Sequence, residues 1–322
     1  MAKRTRIFLL ASAGVLTAVL ATGLVAWAGG AVAGSTTPDD IAYVPGNAQM
    51  VAYADVRQVM NSPFRDRLRQ LDADNNAAAD GFEARTGINF ERDVDSVLIA
   101  STGRISVPTP SDRALLIAHG RFDAVRIEGL MRQQGAQVDQ YRGKRVVAIK
   151  NDANDAALTF AGPGLLLFGA GDSVRAALDA KAGAAQGIGA NTEFMALVND
   201  VDEGTAWSVA KFDSVAGRSP LPGGIVNQLP PINWLAASGR IDSGLHGRVR
   251  AEAQDEQSAR DLRDVVQGFL SLARLQGSRD PGYKGMLDSV MLNAQGKSVS
   301  LYFELTPAVL DSLSQGGAVR RR

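Results

Sequence analysis

The uncharged run 7–28 constrains this chain more than any other feature. It opens with Ile7-Phe8-Leu9-Leu10 and continues through Val15-Leu16, Val19-Leu20 and Leu24-Val25, with Lys3, Arg4 and Arg6 in front of it. At about 1.5 Å per residue a helix of this length spans the roughly 30 Å hydrocarbon layer of a bilayer. A charge at the bilayer centre costs about 2.5–3.5 kcal/mol, so the absence of charge over the run is informative. Basic residues stay cytoplasmic, which puts everything after the run on the other side. Ala26-Trp27-Ala28 and Ala31-Val32-Ala33 both have the small-x-small form of a signal-peptidase site. The apolar stretch exceeds the roughly 7–15 residues of a signal-peptide core, and that favours a retained anchor. Residues 1–34 are therefore expected to be a signal peptide or membrane anchor, and 35–43, which opens with Ser35-Thr36-Thr37-Pro38, a linker. The protein is expected outside the cytoplasm, either anchored in the inner membrane or released to the periplasm after cleavage.

The rest of the chain is ordinary globular sequence. With 322 residues, 45% of them hydrophobic and 21% charged, it can form one large core or two modest ones. The formal net charge is +0, which gives no global field for nucleic acid, and none is expected as a partner. There is no cysteine, which excludes disulfides, thiolate nucleophiles, zinc ribbons and lipid attachment through a thiol.

Period-two and period-3.6 patterns alternate along the body. Strands are expected at 49–54, 94–100, 114–118, 145–149, 157–161, 165–168 and 206–211. Hairpins are expected at 234–241/245–253 and 289–293/299–305. Helices are expected from Ser62-Pro63, over 122–134 with Val125, Leu130 and Met131 inward, over 172–182 capped by Asp172 or Ser173, over 194–198, and from Pro307. The longest helix follows Asp255, with Leu262, Val265, Val266, Phe269, Leu272 and Ala273 as its apolar stripe. Residues 219–231 read as a Pro/Gly-rich loop. Arg121-Phe122-Asp123-Ala124, Lys211-Phe212-Asp213-Ser214, Arg240-Ile241-Asp242-Ser243 and, more loosely, Ala54-Asp55-Val56-Arg57 form a weak repeat of strand end, apolar residue and capping acid. Together these predict an α+β protein with a largely antiparallel sheet and packed helices. Two similar lobes, 44–186 and 187–316, run through one sheet, and 317–322 is a basic tail.

Chemistry is sparse in this sequence. Asp72, Asp74, Asn76, Asp80 and Glu83 fall at loop positions 1, 3, 5, 9 and 12 of an EF-hand-like pattern, so calcium is the one cofactor the sequence admits. Ala77 stands where that loop needs glycine, which argues for a plain polar loop. Gly169-Ala170-Gly171 has two of the three glycines of a dinucleotide loop. His119 and His246 lack the spacing of a metal pair, and no Gly-x-Ser-x-Gly elbow is present. Glu91, Asp93 and Asp95 offer carboxylate pairs, and Trp207 and Trp234 are core candidates, with the lining of a ligand cleft as the alternative.

Phe82-Glu83-Ala84-Arg85-Thr86-Gly87-Ile88-Asn89 continues into Arg92-Asp93-Val94-Asp95-Ser96-Val97, and Pro45-Gly46-Asn47-Ala48 precedes Tyr53-Ala54-Asp55-Val56. Over residues 44–100 this resembles a set of bacterial exported proteins of unknown function. Those proteins share one N-terminal hydrophobic segment, a Pro-x-Asp-Ala strand entry and a Thr-Gly-Ile-Asp element; Asn47 and Asn89 replace the two acids here. The resemblance implies a secreted or anchored domain and supplies no catalytic residue. The functional expectation is a non-enzymatic binding or assembly module with a membrane contact through 7–28 and an envelope protein or lipid as partner. A carrier of an apolar ligand and a hydrolase with an unidentified site are the alternatives.

Overall fold

A computed structural model describes residues 38–62, 83, 87–103, 114–151, 154–201, 204–215, 229–241, 244–277 and 281–306. The apolar run 7–28, the helix expected after Ser62, the segment from Pro307 and the basic tail lie outside the described residues. Among the described residues no helix is long and apolar enough to cross a membrane.

The body is built on β1, Met50–Ala54, whose five residues are all buried. A strand apolar on both faces needs helices on both faces, and that is what surrounds it. β1 pairs antiparallel with β2 (Val94–Ser101) on one side and β8 (Ala206–Lys211) on the other. Outward from β2 come β3 (Ala114–Gly120), β7 (Leu165–Gly169), β6 (Asn154–Gly162), β5 (Lys144–Asn151) and β4 (Gln137–Tyr141). Outward from β8 come β9 (Ile232–Ile241), β10 (Leu245–Ala253), β12 (Ser298–Leu305) and β11 (Met291–Gln295). The result is one twelve-stranded antiparallel sheet among the described residues, with helices packed on it.

The two sides of the β1–β8 junction follow one plan. Each has three successive neighbouring strands, then a helix, then strands whose last member returns beside the third. In chain order the helices are α1 (Pro38–Ile41), α2 (Val56–Met60), α3 (Phe90–Asp93), α4 (Ala124–Gln133), α5 (Gly171–Lys181), α6 (Thr192–Val201), α7 (Phe212–Val215), α8 (Glu256–Gly277) and α9 (Pro281–Ser289). On one face Val51, Tyr53, Leu98, Ala100, Leu115, Ile117, Trp207 and Val209 pack against α1, α5 and α6. On the other, Ala54, Val97, Ala118, Leu158 and Leu166 pack against Val56 and Val59 of α2 and Ile127 and Met131 of α4. Further along that second face, Leu262, Leu270 and Ala273 of α8 and Met286 and Leu287 of α9 cover β10 and β12. Trp207 stacks on Tyr53 with centroids 6.0 Å apart, and Trp234 meets Phe194 edge-on at 5.9 Å, so both tryptophans are core residues.

Several details differ from the sequence reading. Val125 points out, 84% exposed, because it lies about 200° around α4 from Ile127; Ile127 and Met131 hold the inner face. On α8, Leu270 is buried and Leu272 is exposed, so the inner stripe runs through 262, 270 and 273. No side chain caps α5: its N-cap is Ala170, and neither Asp172 nor Ser173 fills that role. The last hairpin starts at Met291, and Ser289 ends α9.

Phe194 on α6 is fully buried against the sheet, where it meets Trp234 of β9. Phe194→Ala is expected to lower unfolding free energy by about 3–5 kcal/mol in a urea titration followed by tryptophan fluorescence.

Candidate functional site

Of the titratable groups singled out from sequence, Asp55, Asp93, Asp95 and His119 lie at one end of the sheet, where β1 ends, β2 begins and β3 ends. Asp55 closes β1 and caps α2, accepting from the backbone N–H groups of Arg57 and Gln58 at 2.9 and 3.2 Å. Burial raises its carboxyl above the ordinary value, and the two cap hydrogen bonds oppose that. Arg57 reaches across to Asp95 on β2 in a close ion pair. Asp93, ending α3, receives the Arg92 guanidinium through two hydrogen bonds of 2.7 and 2.8 Å and the Asn89 N–H at 2.9 Å. The Arg92 hydrogen bond is the main reason its carboxyl lies below the ordinary range.

Gly87, Ile88 and Asn89 lead into this rim. Gly87 sits at φ +73, a left-handed position that strains residues with a Cβ. Its N–H bonds Glu83 O at 2.7 Å. Asn89 then caps α3 by accepting from Arg92 N at 3.0 Å, while its amide donates to Glu83 Oε2 at 2.7 Å. An aspartate at 89 could cap α3 but has no proton to offer Glu83. Of the expected calcium ligands, Asp72, Asp74, Asn76 and Asp80 lie outside the described residues, and Glu83 is engaged with Asn89.

The histidines are far apart. His119 on β3 and His246 on β10 are separated by five strand spacings, about 24 Å. Nε2 of His119 lies 2.6 Å from Asp40 Oδ1 of α1. That carboxylate is only 3% exposed, and the contact raises the His119 pKa. No sequence pattern pairs these residues, which are 79 positions apart.

The second polar cluster lies on the sheet face of the other half. Arg250 on β10 donates to Asp200 Oδ2 of α6 at 2.9 Å, to Glu252 Oε1 at 2.6 Å and to Ser298 Oγ at 2.9 Å. Arg248 meets the same Asp200 carboxylate at 2.9 Å and lies over the Tyr302 ring. Asp200 thus ties α6 to β10, and both arginines are used in that tie. Gly169-Ala170-Gly171 joins β7, which is antiparallel to both neighbours, to α5. A dinucleotide loop needs a parallel βαβ unit, so this turn is structural. Gly169 is required there because a Cβ would overlap the Ala114 carbonyl.

No family model matches the chain, and no curated protein matches it. The fold has solved counterparts. Crystal form III of TP0453 aligns with a TM-score of 0.50 at 8% identity, covering 87% of this chain and 99% of that one. Crystal form I of TP0453 gives a TM-score of 0.47 at 9% identity, covering 88% and 99%. At such identity the likeness to crystal form III concerns fold alone.

The Arg92–Asp93 pair has a pH signature. Because the folded Asp93 pKa lies below its ordinary value of 3.8, the pair's contribution is present above that value and is lost as pH falls through the folded pKa. Carboxyl-detected NMR is expected to place the Asp93 midpoint below 3.8 in the native protein and to move it upward in Arg92→Ala.

Proposed function

We propose that the protein is a non-enzymatic binding or assembly module of the cell envelope, held at the membrane by residues 7–28. The domain boundaries, the extracytoplasmic location and an envelope-protein or lipid partner belong to the same reading. Its support for the membrane contact is the uncharged run behind a basic flank. The resemblance of residues 44–100 to bacterial exported proteins agrees with it.

The observation that carries the binding reading is the outer surface of α8. From Val265 to Gly277 this helix has a single charge, Arg274, and Arg274 donates inward to the carbonyls of Leu287 and Val290 at 3.2 and 3.3 Å. Leu272 and Leu275, three residues apart and so on neighbouring positions of one helical surface, are 36% and 77% exposed. An uncharged helical surface with exposed leucines suits an apolar contact better than water. At the rim, Asp95 and Asp93 already face Arg57 and Arg92, which suits a structural role for these carboxylates.

The test is recovery of one reproducible partner, protein or lipid, with the full-length protein purified from crosslinked membranes. Leu272→Asp/Leu275→Asp is expected to reduce that recovery by about tenfold or more while leaving the thermal midpoint near wild type. Equal recovery with the double variant would count against α8 as the contact surface.

A further inference from the structure

The lead-in 38–48 is fastened to the first half of the sheet at several points. Ile41, Tyr43, Val44 and Ala48 enter the core. Gly46 N–H donates to Gln186 O at 2.8 Å, and Ile188 N–H donates to Val44 O at 2.9 Å. Lys181 of α5 holds Asp39 Oδ1 at 3.0 Å and sits 5.1 Å from the centre of the Tyr43 ring. Nearly all of this is apolar packing, backbone bonding or a lysine contact, none of which changes between pH 5 and 8. The exception is Asp40 against His119.

Asp40 is a buried carboxylate, and its recorded side-chain hydrogen bond is to His119 Nε2 at 2.6 Å. A buried carboxylate is costly unless a partner compensates its charge. The groups around His119 make it that partner. From α1 comes Asp40, and from β2 comes Asp95, which also faces Arg57 of α2. From β7 the residue directly opposite is Leu165, which carries no charge. The nearby cation of α5, Lys181, is engaged with Asp39.

We propose that the Asp40–His119 contact is a pH-sensitive latch on the lead-in: it fastens 38–48 to the sheet while His119 carries its proton and loosens that segment when the proton leaves. The sign follows from linkage. Partnership with Asp40 raises the His119 pKa above its ordinary value of 6.5, so the contribution is full below 6.5 and is lost as pH rises through the folded pKa. Above that point Asp40 faces a neutral imidazole, and a charge-assisted hydrogen bond becomes an ordinary one. The latch acts on the segment that leads into β1, and it changes how firmly that segment is held to the sheet.

Two measurements on the full-length protein test this. The chain has two histidines, so in His246→Gln the one remaining imidazole signal belongs to His119. Its midpoint is expected above 6.5 in wild type and to fall in Asp40→Asn. Hydrogen exchange, corrected for the intrinsic pH dependence, is then followed in peptides covering 38–48 and 186–190. Exchange there is expected to accelerate about fivefold as pH rises through the His119 midpoint, the difference between a charge-assisted and a neutral hydrogen bond. Peptides from β10 and β12 should not follow it, and the step should vanish in His119→Gln and in Asp40→Asn. A wild-type His119 midpoint at or below 6.5, or no exchange step in 38–48, overturns the latch even if neither variant folds.

Discussion

Everything else in this structure hangs on the pairing of β1 with β8. These two strands are far apart in sequence and lie side by side for their full common length, Met50 opposite Ala210 through Ala54 opposite Ala206. The pairing merges two similarly ordered strand sets into one sheet. The Tyr53–Trp207 stack sits on the junction, and Val51 and Val209 face each other beside it. Burial of both strands explains why β1 is apolar at every position and why β8 keeps its one polar interior residue, Ser208, small. Without this pairing each half would expose a strand edge flanked by apolar faces, an aggregation hazard that globular proteins avoid.

The second constraint is electrostatic. Charges near the sheet are placed where they join elements. Asp200 links α6 to β10, Asp95 links β2 to α2, and Asp40 links the lead-in to β3. Arg250 makes hydrogen bonds to three different side chains. Such groups order the structure by joining one element to another. Among the described residues Val125, Leu275 and Met291 are 84%, 77% and 66% exposed. These exposed apolar side chains support the proposal of recognition by contact.

Much of the sheet was legible because its inner strands are short apolar runs between turn residues, as in 94–100, 165–168 and 206–211. Helix starts were readable where an acid follows a strand. Asp55, Asp123 and Asp255 each accept from a first-turn N–H. Arg240-Ile241 differs from these, since it ends β9 and the next described element is the strand β10 rather than a helix. β4 escaped detection because an edge strand with sequence Gln-Val-Asp-Gln-Tyr is mostly exposed and carries no apolar period. Its signal was the turn: Arg142 and Gly143, at φ 50 and 72, make the two-residue loop into β5. α9 was missed because Gly282 and Gly285 weaken a helical reading that only packing on α8 and β12 restores. The Asp40–His119 and Asp200–Arg250 pairs depend on tertiary approach between residues 79 and 50 positions apart, for which a single sequence has no signal.

The central functional claim is that the folded body stands outside the cytoplasm. The absence of cysteine gives a clean way to test it. Val125 is exposed on α4, away from the core, so Val125→Cys should fold normally and present one thiol. Intact spheroplasts treated with a membrane-impermeant maleimide should label this variant to the same extent as lysed ones. Labelling that appears only after lysis would put the body on the cytoplasmic side and contradict the account.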